Sequence, residues 1–293
     1  MSTSTRTEPV LSVRDVTVVY ETEDPVTAVS SASFDLHRGE ILGLAGESGC
    51  GKTTLAYAVN RLHQPPARIA SGSVVLHDAT TGTDVDVLAL GEEELRAFRW
   101  SKLSMVFQGA MNALNPVRSV GAQLDDTLRA HAPQLDRRAR RDRSAEVLTR
   151  VGVSPDRLRA YPHELSGGMR QRVMIAMAML LEPQVMIMDE PTTALDVVVQ
   201  RDILREIVRL RDEMQFAVVF ITHDLPLLLE ISDRIAVMRG GVVVELDTAE
   251  NLYRHAAHPY TRKLLGSFPS LSGDRGAFIR SGELDAELSE ETA

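Results

Sequence analysis

The sequence predicts an α/β fold in which strands of a parallel sheet alternate with helices. Residues 40–45 and 185–188 are short apolar runs that indicate buried strands, and a glycine-rich loop followed by helical periodicity comes directly after the first. Beyond Pro183 the chain again alternates between strand, helix and strand patterns. Because parallel strands are joined by helical crossovers, this alternation favours an α/β core.

The elements follow in order along the chain. Residues 11–20 predict a strand near a sheet edge, residues 32–36 its neighbour, residues 53–62 a helix, and residues 73–76 a strand followed by a turn over 78–84. Helical periodicity dominates residues 91–182, apart from 105–116, so we expect a mostly helical insert there. Residues 199–214 predict an amphipathic helix with Val199, Ile203 and Ile207 on one stripe, and residues 216–222 predict a strand.

Composition limits the function classes. With 293 residues, 44% hydrophobic and 25% charged, the chain has the composition of an ordinary soluble protein with one large domain or two modest ones. No apolar run approaches the roughly 18 residues that cross a bilayer, and the polar opening lacks the core of a signal peptide. A single cysteine, Cys50, excludes an internal disulfide. We therefore expect a cytoplasmic protein with at most a peripheral membrane role.

The most informative motif is a phosphate-binding loop. Its glycines let backbone N–H groups turn toward an anion, its lysine adds a charge for the β- and γ-phosphates, and its threonine hydroxyl is suited to Mg²⁺. The predicted ATP-binding residues here are Gly46, Glu47, Ser48, Gly49, Cys50, Gly51, Lys52, Thr53 and Thr54.

Two carboxylates end the strand over residues 185–188, at the edge where α/β sheets bind ligands. We expect Asp189 to hold Mg²⁺ and Glu190 to polarise the attacking water as the catalytic base. On its own this pair is equally typical of a strand-ending turn, and the phosphate loop upstream favours the catalytic interpretation.

Residues 165–172, with the sequence LSGGMRQR, match a further motif at a predicted helix start. Here the chain resembles the ATP-binding cassette (ABC) family of ATPases. The resemblance implies a P-loop NTPase, RecA-like core with an antiparallel β subdomain and an inserted helical subdomain. It also implies a head-to-tail pair of cassettes, in which Ser166, Gly167 and Gly168 close over the ATP bound by the partner cassette.

The same resemblance assigns roles to four more residues. Gln108 corresponds to the glutamine that senses Mg²⁺ and the attacking water, and His223 to the histidine that contacts the γ-phosphate. Asp196, with Ala194 and Leu195, lies in the segment that communicates across the dimer, and Tyr20 matches the aromatic residue that stacks on adenine. Predicted Mg²⁺ ligands are thus Thr53, Gln108 and Asp189, and the predicted catalytic residues are Glu190, His223 and Gln108.

Two stretches resemble the oligopeptide and dipeptide uptake subfamily: residues 107–116 and residues 258–265. This resemblance implies an importer subunit on the cytoplasmic face of the membrane. Its partners would be two multi-spanning permeases, a second cassette, and indirectly a solute-binding protein outside the cell. The sequence leaves open whether the second cassette is another copy of this chain or a different chain, and the subfamily resemblance favours a different one. Oligosaccharide or nickel-complex import stays open, and the chain lacks the cysteine-rich segment that carries an iron–sulfur cluster in many members. The implied domains are a flexible N-terminus (1–9), a nucleotide-binding domain (10–250) and an extension (251–293) with a disordered acidic tail.

Two rivals belong to other classes. A soluble cassette that acts on nucleic acid is favoured only by the arginines between residues 137 and 143, which we interpret as a solvated helix face because the net charge is −9. A regulatory module without hydrolysis is disfavoured, since each catalytic position holds the competent residue type.

Overall fold

The computed structural model describes residues 8–78, 80–193 and 195–267. The chain divides into two compact units, residues 1–89 with 211–293, and residues 90–210. The strands in chain order are β1 (Pro9–Tyr20), β2 (Val26–His37), β3 (Ile41–Ala45), β4 (Ala67–Asp78), β5 (Thr83–Asp86), β6 (Leu103–Val106), β7 (Val185–Asp189), β8 (Ala217–Ile221), β9 (Arg234–Arg239) and β10 (Val242–Thr248). The α-helices are α1 (Lys52–Val59), α2 (Glu92–Phe98), α3 (Val120–His131), α4 (Arg137–Arg150), α5 (Gly167–Met179), α6 (Val197–Met214), α7 (Leu225–Ile231), α8 (Ala249–His255) and α9 (Pro259–Gly266).

An antiparallel sheet of the first unit has the strand order β2, β1, β4, β5. Val13 lies opposite Phe34 on one side and Val74 on the other. β1 is thus the second strand of this sheet, beside the edge strand β2, which agrees with the prediction that residues 11–20 form a strand near a sheet edge with residues 32–36 as its neighbour. Apolar residues that alternate with polar ones indicate one covered face, and this pattern is the same for edge and central strands.

Parallel strands of the first unit carry the phosphate loop. β3 pairs in parallel with both β8 and β9, and β10 joins β9 in the antiparallel direction. Every residue of β3 and β8 is buried, which explains why both strands are continuous apolar runs. The loop begins where β3 ends, at the edge where such sheets bind ligands.

The second unit contains a parallel strand pair and a group of helices. β6 and β7 pair in register, with Met105 opposite Ile187. Leu124 and Leu128 of α3 and Leu148 of α4 are fully buried, so apolar faces hold these helices in place. This unit runs from Leu90 to Leu210 and thus includes β7 and most of α6, which lie beyond the predicted insert at 91–182.

The five arginines of α4 between residues 137 and 143 divide into two groups. Arg140 pairs with Asp125 at 2.6 Å, and Arg143 pairs with Glu146 at 3.0 Å. The remaining three, Arg137, Arg138 and Arg141, are exposed. The interpretation of this run as a solvated helix face agrees with that arrangement.

Several expectations fall on the ends of the chain. The predicted acidic tail and most of the flexible N-terminus lie outside the described residues. Within the part of the chain that the structure describes, no helix is both long enough and apolar enough to pass through a membrane.

Candidate ATP site and family

Glycine is required at two positions of the phosphate loop. Gly46 and Gly51 have φ angles of 148° and 104°, where side chains with a Cβ are strained. A Cβ would lie 2.3 Å from the Met238 carbonyl oxygen at Gly46 and 2.4 Å from that of Ala28 at Gly51. The loop is thus closely packed against β9 and β2.

The lysine of the loop lies inside its curve. The Lys52 ammonium donates to the carbonyl oxygens of Gly46 at 2.7 Å and Glu47 at 3.0 Å, and it lies 3.7 Å from the Cys50 sulfur. The lysine is only 7% exposed. A lysine ammonium within a glycine-rich loop that leads into a helix N-terminus suits a polyphosphate, so the residues present fit the predicted nucleotide.

Other predicted residues of the first unit lie at or close to the ends of strands and helices. The Tyr20 hydroxyl, at the end of β1, lies 3.4 Å from the Thr54 hydroxyl oxygen. Thr53 is exposed in the first turn of α1, and His223 is exposed just after β8. The adenine-stacking role of Tyr20 and the γ-phosphate role of His223 stay predictions.

The predicted catalytic carboxylate of the second unit, Glu190, is held by two donors. Oε2 of Glu190 accepts hydrogen bonds from Nε2 of Gln108 at 3.0 Å and from Oγ1 of Thr193 at 2.9 Å. Asp189, which ends β7, is 1% exposed. The structure therefore brings together Gln108 and Glu190, two residues that the sequence predicted for one reaction. It adds Thr193, which the sequence analysis missed although it lies three residues after Glu190.

Ser166, from the motif at residues 165–172, caps α5. The Ser166 hydroxyl accepts the Met169 N–H at 3.2 Å, as an N-cap does. A Cβ at Gly168 would lie 2.6 Å from Cγ1 of Val199, so this glycine has a packing role against α6. Gly167 precedes it at the first position of α5.

The segment before α6 is fixed by the predicted dimer-communication residue. The Asp196 carboxylate accepts the Val199 N–H at 3.0 Å. Leu195 precedes it, and Ala194 lies outside the described residues. The role of Asp196 in a dimer stays a prediction.

The predicted Mg²⁺ ligands have the right chemistry. Thr53 offers a hydroxyl, Gln108 an amide oxygen and Asp189 a carboxylate. Mg²⁺ prefers such oxygen ligands, so the donor set fits the ion.

Comparison with known families gives the identity of the fold. The profile described as ABC transporter matches residues 29–193. The chain belongs to the ABC transporter family. A second profile, the oligopeptide/dipeptide transporter C-terminal region, matches residues 244–289.

Named relatives and a solved structure agree with this assignment. The chain is 40% identical to the dipeptide transport ATP-binding protein DppD of Bacillus subtilis, over 90% of this chain and 78% of that protein. It is 44% identical to the oligopeptide transport ATP-binding protein OppD of Mycobacterium bovis, over 92% of this chain but only 43% of that longer protein. A post-hydrolysis dimer of the ATP-binding cassette MJ0796 with ADP and Pi matches with a TM-score of 0.70 and 25% identity, over 82% of this chain and 98% of that one.

These findings confirm the recognition of the family and of its oligopeptide/dipeptide branch. The predicted fold class and the assignment as an ABC-type ATPase are confirmed as well. Individual site residues are not tested by the comparisons, and their roles are part of the proposal below.

Proposed function

We propose that this chain is the ATP-hydrolysing subunit of an importer that takes up dipeptides or oligopeptides through separate permease subunits. The observation that carries the hydrolytic part is the Glu190 carboxylate, held on one oxygen by Gln108 and Thr193. Two donors fix the orientation of this carboxylate, and a positioned carboxylate is what a general base for water requires. The peptide substrate is supported by the match to the oligopeptide/dipeptide C-terminal region.

The residues divide the chemistry between them. Lys52 and the N–H groups of the phosphate loop bind and orient the phosphates, and Tyr20 stacks on the adenine ring. Glu190 accepts a proton from the attacking water, while His223 and Gln108 orient the reacting groups. Bound Mg²⁺, with Thr53, Gln108 and Asp189 as ligands, would neutralise charge on the β- and γ-phosphates.

The proposed assembly follows from the branch of the family. This chain pairs head to tail with a second cassette, a different chain, whose ATP is covered by Ser166, Gly167 and Gly168 of this one. The pair docks on two permeases at the cytoplasmic face of the membrane, and a solute-binding protein outside delivers the peptide. ATP binding favours the closed pair and hydrolysis reopens it.

Measured turnover tests the hydrolytic assignment. Glu190→Gln keeps the shape of the side chain and removes the base, so we expect ATP affinity near wild type and turnover lowered by about two orders of magnitude or more. The matched control is Glu93→Gln, a change at an exposed position of α2, which should turn over as wild type. Near wild-type hydrolysis by Glu190→Gln would refute the assignment of the base.

Uptake by the host tests the substrate class. Cells that carry Glu190→Gln in place of the wild-type chain should lose uptake of labelled dipeptides or oligopeptides and keep uptake of nickel and of oligosaccharides. Loss of nickel or oligosaccharide uptake with unchanged peptide uptake would overturn the peptide assignment and leave the ATPase intact.

A further inference from the structure

One peptide group of the phosphate loop is held at both edges. The Glu47 N–H donates to the Tyr260 hydroxyl at 3.1 Å. The carbonyl of the same peptide group belongs to Gly46, and it accepts the Lys52 ammonium at 2.7 Å. Because a peptide is planar, these two bonds together fix the orientation of the whole group.

Tyr260 belongs to the region after the cassette core and is itself firmly placed. The Glu245 carboxylate accepts the N–H groups of Ala257 at 2.6 Å and His258 at 3.1 Å, which holds the turn before α9. Nδ1 of His258 then accepts the Tyr260 N–H at 3.2 Å and caps the helix. The backbone at Tyr260 is thus anchored to β10.

The ring of Tyr260 is fixed as well. The residue is 5% exposed, and the Arg239 guanidinium carbon lies 5.1 Å from the ring centroid, within the range of a cation–π contact. Burial raises the pKa of Tyr260 above its usual value, although the Glu47 hydrogen bond and the Arg239 charge oppose this. The phenol therefore stays neutral at physiological pH.

We propose that Tyr260 is a positioning residue for ATP binding, which holds the peptide between Gly46 and Glu47 when Lys52 turns from the Gly46 carbonyl to the phosphates. The proposal rests on the proposed function, since it needs ATP at this loop. If Lys52 gives up its bond to Gly46, the Tyr260 hydroxyl is the contact that keeps this peptide in place. With the Glu47 N–H bound to Tyr260, the following N–H groups of the loop form the surface that meets the anion.

The test compares Tyr260→Phe with Tyr253→Phe in the full chain. The first change removes one oxygen and keeps the ring beside Arg239. The second removes the same atom from a tyrosine of α8 that is 44% exposed. We expect Tyr260→Phe to weaken equilibrium ATP binding about three- to tenfold, the value of one hydrogen bond. Turnover at saturating ATP should stay within about twofold of wild type, because the loop reaches the same bound geometry.

A second measurement reports on the hydrogen bond itself. Hydrogen exchange of the Glu47 amide, followed without nucleotide, should be faster in Tyr260→Phe than in wild type and unchanged in Tyr253→Phe. ATP affinity of Tyr260→Phe equal to wild type would overturn the proposal, and so would equal loss in both tyrosine variants. Lys52→Ala separates the two hypotheses: if it binds ATP as wild type does, the loop assignment fails, whereas a loss there with no effect of Tyr260→Phe refutes only the role of Tyr260.

Discussion

Replacement of Gly51 by alanine tests whether the phosphate loop is fixed by packing. At φ 104° and ψ 2°, a residue with a Cβ costs roughly 1–3 kcal/mol of backbone strain. The new Cβ would also lie 2.4 Å from the Ala28 carbonyl oxygen and 3.4 Å from Cγ2 of Val29. β2 cannot yield freely, because the nearby Ser30 N–H donates to Gly241 at 2.8 Å. Such overpacking costs about 1–3 kcal/mol more.

Gly49 provides the matched control in the same loop. Its φ is 79°, and nothing lies within 4 Å of a Cβ built there, so Gly49→Ala carries only the backbone strain, about 1–2 kcal/mol. We expect Gly51→Ala to lower the free energy of unfolding in urea by about 1–3 kcal/mol more than Gly49→Ala does, measured without nucleotide. Equal losses in the two variants would refute the argument that β2 limits the space at Gly51.

Three further predictions concern other sites. Burial and the charge of Arg96 lower the pKa of His131 in the folded chain. Between this pKa and the usual 6.5 the unfolded chain binds more protons, so the free energy of unfolding falls as the pH drops through that window. Urea unfolding at pH 7.5 and pH 5.5 should therefore show a smaller drop in this free energy for His131→Asn than for wild type. Arg211→Met removes the donor to the Gly39 carbonyl at 2.7 Å and should cost about 1–3 kcal/mol in urea unfolding, so an unchanged midpoint would contradict this role. Ser166→Ala removes the N-cap of α5 and should lower the free energy of unfolding by about 1 kcal/mol. Ser166→Asp, which keeps a capping oxygen, should retain most of this stability.

Local patterns made the phosphate loop predictable. Its eight residues are consecutive, and the glycine and lysine positions follow from what an anion requires. The hairpin of β9 and β10 was missed, although Gly240 and Gly241 between two β-branched runs are a strong turn signal.

Contacts between residues far apart in the sequence could not be predicted from residue patterns. Gln108 and Glu190 lie 82 positions apart, and no periodicity connects them, so only the family resemblance assigned them to one reaction. The Tyr260 contact to Glu47 spans 213 positions. A motif at 258–265 was visible in the sequence, but its contact with the loop depends on how the chain folds back, which residue patterns do not encode.

The left-handed backbone at Glu190 lowers the stability of the fold at a position where the proposed reaction requires a carboxylate. Its φ of 45° is a left-handed conformation that costs an L-residue about 1–2 kcal/mol. Glycine at this position would avoid that cost. It would also give the unfolded chain more conformational freedom, which takes back about 0.5–1 kcal/mol of the stability gained. The same change removes the two hydrogen bonds that the carboxylate accepts from Gln108 and Thr193, worth about 0.5–1.5 kcal/mol each. The strain relieved and the bonds lost are of similar size, so a library sorted only for folding should tolerate glycine at position 190, whereas one sorted for ATP turnover should reject it.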